Sequence, residues 1–362
     1  MPEDTEAFKV KRLGLVIEPE PGNPNEVEGI LNPGAVRGPD GQLYLFPRLV
    51  GKGNYSRIGI ARVQFDSAGD PVGIERLGIA LEPEADYELR PGGAGGCEDP
   101  RVSFVDTIQR YAMFYTAFSP SGPRIAVAHS KDLIHWERMG LVRYRPYKGL
   151  SLEDVDDKDA SPFPDAVPDT RGHLAWAMLH RPLFPGTRPE EIVHRGRGRK
   201  INRRQESIWI SYCNKIVDKE GNYILSQFTS HRRLAAPKFD WEHLKIGGGT
   251  PPVLTKHGWM ILYHGVSEAA TADPSGRSLV YSAGVMILAQ ENPHRVLYRS
   301  SSPVLKPELD SERIGAVGNV VFPTGIDQRS DIGMPNRYDV YYGMADDRIG
   351  VGRMDVPDSL PS

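Results

Sequence analysis

"GGCEDPRVSFVDTIQRYAMFYTAFSPSGPRIAVAHS", Gly95 to Ser130, holds three pieces in a fixed order. A Pro-marked opener, "EDPRV", leads into an aromatic and aliphatic run, "RYAMFYTAF", and then into a shorter apolar run, "RIAVAHS". Both runs are short, rich in aromatic, β-branched or Met residues, and bounded by Gly, Pro or Asp, so they read as strands. The same order returns four more times. "NPGAV" at Asn32, "ASPFP" at Ala160, "GTPPV" at Gly249 and "GNVVF" at Gly318 stand ahead of "QLYLFPRLV", "HLAWAMLHRP", "GWMILYHGV" and "YDVYYGMA". After these come "RIGIARV", "SIWISYC", "SAGVMIL" and "RIGVGRM".

The openers at 32, 98, 160, 249 and 318 lie 66, 62, 89 and 69 residues apart, a loose period with several strands per unit and almost no helical pattern. One such unit cannot bury both of its faces, whereas five arranged around an axis can. The expectation is an all-β chain, a single five-bladed β-propeller over residues 1–362, with a two-sheet sandwich plus accessory elements as the alternative. The interval of 89 is lengthened by a basic insertion at about 183–206 carrying Arg188, Arg195, Arg197, Arg199, Lys200, Arg203 and Arg204. It reads either as a solvated loop or as a lid or subunit contact that adds positive charge near an anionic ligand.

Composition narrows the function classes. With 39% hydrophobic and 25% charged residues the chain reads as soluble and globular, and a net charge of -3 argues against a nucleic-acid or membrane-surface partner. No run of about 18 apolar residues is present. The first residues, "MPEDTEAFKVKR", are acidic where a secretion signal is basic and then apolar. A cytoplasmic location is expected. Cys97 and Cys213 cannot make a disulfide framework, and no Cys/His cluster has zinc spacing, so no metal is expected. A homo-oligomer is left open.

In a propeller the first strand of each unit lines the axis, which brings Asn32, Asp99, Asp159 and Asn319 together there. The second runs are interrupted by Arg48, Thr116, His180 with Arg181, His264, and Asp346 with Asp347 at similar positions. A polar side chain inside a strand is costly to bury unpaired. Any one of these is commonly a satisfied structural residue, but five units offering them at one level point to a binding site. The set has carboxylates, imidazoles, Lys158 and arginines, no Ser–His nucleophile pair and no phosphate-binding glycine loop, since neither "GGCEDPR" nor "GGGTPP" is followed by Lys-Ser/Thr. That chemistry suits carbohydrate. Breaking a glycosidic bond needs an acid for the leaving oxygen and an attacker on the opposite face of the sugar. Water needs a second carboxylate to activate it. Inorganic phosphate needs only a cationic cradle, of the kind Lys158, His264 and nearby arginines offer.

"NPGAV", "CEDPR", "DKDASPFP", "LHRP", "GGGTPPV…GWMILYHGV" and "YYGMADDRIGVG" resemble, in order from Asn32 to Gly352, glycoside hydrolase family 130, the β-mannoside phosphorylases and related β-mannosidases. The resemblance implies a five-bladed propeller. It also implies inverting phosphorolysis of a β-mannoside (mannosyl-glucose, mannosyl-N-acetylglucosamine or a manno-oligosaccharide) to α-mannose 1-phosphate. No cofactor is implied, inorganic phosphate being the co-substrate. Carried over by motif, the general acid falls on Asp99, passing its proton through a sugar hydroxyl. Phosphate falls to Lys158, His264 and Tyr281, with one further arginine between Asp99 and Lys158 assigned to Arg145, Arg143 being the other candidate. Asp346 would contact mannosyl hydroxyls, and Asn32, Arg48, Glu98, Arg101, Asp159, His180 and Arg181 complete the expected substrate set. Two other functions compete: hydrolysis of the same bond with a carboxylate such as Asp159 as base, and glycan binding without turnover. The family's hydrolytic branch replaces the phosphate-binding basic residues by acids. Here Lys158 and His264 remain basic, which favours phosphorolysis.

Overall fold

The computed structural model describes residues 7–184, 205–269 and 278–361. The arginine-rich part of the insertion therefore lies outside the described residues. Strand pairing gives five antiparallel blades in chain order. Blade 1 is Gly29–Arg37, Leu43–Gly51, Tyr55–Phe65 and Pro71–Leu81; blade 2 is Gly95–Val105, Arg110–Ser119, Gly122–Ser130 and Trp136–Leu141. Blade 3 is Asp156–Pro162, Leu174–Leu183, Ile208–Cys213 and Gln227–Ala235; blade 4 is Lys245–Gly248, Gly258–Ala269, Ser278–Ala289 and Asn292–Arg299. Blade 5 takes Val321–Gln328, Arg337–Met344 and Arg348–Asp355, and its fourth strand is the N-terminal Lys11–Ile17, paired Lys11 to Arg353 and Ile17 to Ile349. The fold is a five-bladed β-propeller. Among the described residues no helix is long and apolar enough to cross a membrane.

The repeated runs are apolar without alternation because a blade has no wet face. On Arg110–Ser119, Tyr111, Met113, Tyr115 and Ala117 pack against Phe46, Ile58 and Ile60 of blade 1. Ala112 and Phe114, pointing the other way, join Trp176 and Met178 of blade 3. Five such clusters fill the five seams, each holding side chains of both flanking blades. Burying one large side chain there is worth roughly 1.5–3 kcal/mol. Two expectations shift slightly. The blade 4 opener predicted at Gly249 follows an inner strand that ends at Gly248, and each blade has a fourth, outer strand that no opener or apolar run marked.

A second repeat appears only in three dimensions. Glu26, Glu88, Glu242 and Glu312 each stand buried just ahead of an inner strand. Each accepts from an arginine on the outer strand of the blade that follows: Arg76, Arg138, Arg299 and Arg12. Tyr115, Tyr263 and Tyr342, on the second strands of blades 2, 4 and 5, donate their hydroxyls to Glu88, Glu242 and Glu312 at 2.5, 2.8 and 3.1 Å. In blade 1 the matching position is Pro47. There the Asn23 amide takes over the hydrogen bond to Glu26, and a 260 Å³ cavity lined by Pro47, Glu26, Arg76, Ile60 and Ile74 remains where the ring would stand. In blade 3 the position is His180.

Candidate active site

The inner strands of blades 1, 2 and 3 share one irregularity. Pairing runs Leu31 to Arg48 and resumes at Gly34 to Phe46; it runs Glu98 to Thr116, then Arg101 to Phe114; and Lys158 to Arg181, then Ser161 to Leu179. Two residues oppose one in each case, a bulge that re-aims a side chain. Asn32, Asp99 and Asp159 occupy it with φ of 46°, 48° and 60°. Asn and Asp are the non-glycine residues that tolerate this left-handed geometry best, and a proline can follow because the bulge needs no N–H there. The motifs N-P, D-P and D-A are thus the local code that turns three side chains into the axial funnel. Blade 4 instead has Gly247, where a Cβ would stand 2.3 Å from both Asp159 Oδ2 and His264 Cε1.

These side chains line a 360 Å³ cavity together with Arg48, Lys158, Arg181, Leu183, Glu206, Lys245, His264, Tyr281, Val317, Val320, Phe322 and Asp346. One side is a hydrogen-bonded acid cluster. Asn32 Nδ2 donates to Asp99 Oδ1 at 3.0 Å, Arg48 Nη1 lies 3.4 Å from the same oxygen, and Arg48 Nη2 donates to Glu98 Oε1 at 3.0 Å. Lys158 Nζ donates to Glu98 Oε2 at 3.2 Å. Burial opposes ionisation of Asp99, but the charges of Arg48, Arg101 and Lys158 with the Asn32 hydrogen bond prevail and hold its carboxyl below the usual range. Asp346 behaves oppositely: burial, reinforced by Asp99 and Glu98 and opposed by Arg48, pushes it up to about 6. The Asn32 Oδ1 atom is buried without a hydrogen-bond partner.

Across the cavity the chemistry changes. Arg181 Nε donates to Asp159 Oδ2 at 2.5 Å and its Nη1 to Glu206, so this guanidinium is held by two carboxylates. Burial works against the Asp159 charge, but Arg181 and Arg101 outweigh it and hold its carboxyl well below the usual range. His264 Nδ1 donates to the Gly248 carbonyl at 3.0 Å, leaving Nε2 buried without a partner. Burial, against the pull of Asp159, pushes His264 down to about 3, so its imidazole is neutral. Lys245 Nζ lies 5.4 Å from the centre of the Tyr281 ring, which stacks with His264 at 6.2 Å. Among the described residues Lys245 is the one cation lining the cavity that no carboxylate engages. An unpartnered buried acceptor on each side, Asn32 Oδ1 and His264 Nε2, marks a place for a ligand.

Of the residues expected from sequence, Asn32, Arg48, Asp99, Lys158, Asp159, Arg181, His264, Tyr281 and Asp346 line this cavity. Glu98 and Arg101 stand behind it: Glu98 holds Arg48 and Lys158, and the fully buried Arg101 donates to the carbonyls of Gly249 and Asp99. Two residues do not belong. Arg145 is exposed and donates to Gln227, outside the cavity. His180 points into the seam between blades 2 and 3 and hydrogen-bonds Asp157 and Ser211, because neighbours on a strand face opposite ways and Arg181 takes the cavity side. The cationic cradle is also not as expected, with His264 neutral and Lys158 held by Glu98. Lys245 was missed, although it sits two residues from Gly247 on the same strand, and hence on the same face.

The sequence profile of glycoside hydrolase family 130, described as "beta-1,4-mannooligosaccharide phosphorylase", matches residues 9–360. The chain belongs to glycoside hydrolase family 130. As a member of that family it is an enzyme of the glycoside-phosphorylase kind. It is 30% identical over 360 residues to a 1,2-β-oligomannan phosphorylase of Thermoanaerobacter sp. (strain X514), covering 97% of this chain and 99% of that protein. Two solved structures show the same fold. A β-1,2-mannobiose phosphorylase from Listeria innocua in complex with β-1,2-mannobiose has 22% identity, a TM-score of 0.67 and coverage of 96% of this chain and 97% of that one. A family 130 structure from work on glycoside hydrolases that target β-1,2-mannosidic linkages in Candida mannan has 23% identity, a TM-score of 0.69 and coverage of 100% and 99%.

Proposed function

We propose that this family 130 enzyme phosphorolyses a β-mannoside with inversion, releasing α-mannose 1-phosphate. The observation that carries the reading is Lys245, the unengaged cation, beside the neutral His264 and Tyr281 and across the cavity from Asp99. A monoprotonated phosphate suits this corner: its anionic oxygens take Lys245 and the Tyr281 hydroxyl, while its own O–H donates to the bare His264 Nε2. The sugar then lies toward Asn32, Arg48, Asp99 and Asp346. A phosphate oxygen attacks the anomeric carbon from the Lys245 side, the bond to the leaving oxygen breaks on the other, and Asp99 supplies the proton. In the empty cavity Asp99 is ionised, so this role requires it to gain a proton once the anion is bound.

Hydrolysis keeps one observation in its favour. Asp346 at about 6 has the basicity to activate a water, whereas Asp159, held by Arg181, is too weak a base. Incubation with β-1,2-mannobiose, β-1,4-mannobiose, mannosyl-glucose and mannosyl-N-acetylglucosamine, with and without phosphate, tests the reading and finds the linkage. Sugar phosphate formed only when phosphate is present is the expected result. Free mannose at equal rate without phosphate overturns it in favour of hydrolysis. Saturable sugar binding with no product leaves glycan binding alone.

A further inference from the structure

Behind the cavity wall, in the seam between blades 2 and 3, lies a chain of hydrogen bonds that the reaction does not use. Asp157 Oδ2 stands 2.7 Å from His180 Nδ1; His180 Nε2 is 2.7 Å from Ser211 Oγ; Ser211 Oγ is 2.8 Å from His231 Nδ1; and His231 Nε2 is 3.0 Å from the Arg145 carbonyl. Tyr144 donates its hydroxyl to Asp157 Oδ2 and stacks on His180. Asp157, His180, Ser211 and His231 are all buried. The first three have the order of a hydrolase triad, but Ser211 is sealed from solvent and its hydroxyl is engaged by His231.

The direction of every bond follows from the carbonyl at the far end, which can only accept. His231 Nε2 therefore carries a hydrogen. Burial pushes His231 down to about 4, so the ring is neutral and Nδ1 is bare. Ser211 gives its single hydrogen to that atom and can only accept from His180, whose Nε2 must carry a hydrogen. At the last link two acceptors cannot face each other at 2.7 Å. Tyr144 keeps its own proton, burial and Asp157 both holding it there, and its hydroxyl already donates to Asp157. One proton more than a neutral imidazole and a carboxylate hold between them must lie between His180 and Asp157. From the neighbouring blade the charge of Arg124 acts on Tyr144, and Arg124 is itself engaged by Asp156.

We infer that Asp157 and His180 share this proton as a net-neutral positioning pair, backing the strand that presents Lys158 and Asp159 so that no uncompensated charge stands behind the wall of the cavity that takes the anion. The pair lies one residue from Lys158 and one from Arg181, whose register partner Lys158 is. A bare carboxylate in this seam is costly and weakens anion binding in the cavity. The inference rests on the phosphorolysis reading for what the pair serves, but the shared proton stands apart from it.

Two measurements test it. Nitrogen-15 NMR of histidine-labelled wild-type enzyme, with carbon-13 on the aspartate carboxyls and no sugar or phosphate added, should show a proton on His180 Nδ1 or on Asp157. A bare Nδ1 together with an ionised Asp157 overturns the inference, whatever the enzyme's substrate. Calorimetric titration with inorganic phosphate gives the second readout. His180→Gln removes the imidazole and the shared proton but retains an amide donor, leaving the Asp157 carboxylate uncompensated, and should weaken phosphate about tenfold, the order of one unit charge about 10 Å away at an effective dielectric of about 20. Adding Asp157→Asn restores neutrality and should bring affinity back to within about threefold. A double variant as weak as the single, or weaker, shows a merely structural role and sinks the inference. Wild-type enzyme that binds no phosphate at all counts against phosphorolysis and leaves the NMR result to decide the pair.

Discussion

Phosphate binding is expected to protonate Asp99. In the empty cavity burial disfavours its charge, but Arg48, Arg101 and Lys158 prevail and keep it ionised. A sphere of 360 Å³ is about 9 Å across, and an anion at Lys245 acts on Asp99 over about that distance. One unit charge at ~9 Å and an effective dielectric of ~20 is worth ~2 kcal/mol, more than a tenfold change in the protonated fraction. The sign is fixed: a neighbouring anion disfavours the carboxylate, so protonated Asp99 persists to higher pH. Carbon-13 titration of labelled aspartate, with Asp99→Asn used for assignment, reads this directly with and without phosphate. In turnover, the loss of activity on raising pH should fall at higher pH in kcat at saturating phosphate than the Asp99 titration of free enzyme. An Asp99 that titrates at the same pH in both conditions, while calorimetry shows phosphate bound, refutes the coupling and with it the acid role assigned to this carboxyl.

Asp99→Asn should lower turnover by about 10² to 10⁴ while sugar binding and melting temperature stay close to wild type; near-normal turnover in the folded variant removes Asp99 as the acid. Lys245→Met should weaken phosphate by about 10- to 100-fold, the range of a lost charge-assisted hydrogen bond, and change mannoside affinity by less than about threefold. Lys158→Met removes a cation that favours the Asp99 carboxylate, so activity should persist to higher pH, a shift read from the pH–rate profile. Pro47→Tyr, filling the seam between blades 5 and 1 as Tyr115, Tyr263 and Tyr342 fill theirs, should raise the melting temperature by about 2 °C; a fall means the cavity cannot take the ring. Proton NMR of the reaction in phosphate should show the α-phosphate first, and the β-phosphate appearing first contradicts a single displacement.

The blades were legible because seams on both faces force long apolar runs such as "RYAMFYTAF" into the sequence. Their outer strands were not, because Pro71–Leu81 and Asn292–Arg299 face solvent along much of their length and carry no such run. Asn32, Asp99 and Asp159 could be read because a left-handed bulge restricts the residue type to nearly Asn or Asp. Lys245 could not, since a lysine at a strand start looks the same whether it meets solvent or a ligand. The His180 assignment ignored a signal that was present: beside Arg181 on one strand, only one of the two side chains can face the cavity. Arg145 was placed by its position between two motifs rather than by any pattern of its own, and it follows the two-residue strand Arg143–Tyr144 at the edge of blade 3.

The pairing of Lys11–Ile17 with Arg348–Asp355 sets an order in time. At about 5–20 residues per second, a ribosome needs roughly 20–70 s between making the first of these strands and the last. Throughout that interval Leu13, Val16 and Ile17, which pack into the seam between blades 5 and 1, have only the blade 1 side of that seam to meet. Blades 1 to 4 can pair as they emerge, each hairpin from neighbouring residues, but closure waits for the most sequence-distant strand pairing among the described residues and is slow for that reason. A nascent ring held open this long presents an unpaired edge at each end, so closure of the ring, rather than the formation of any single blade, becomes the step at which the enzyme escapes aggregation or succumbs to it.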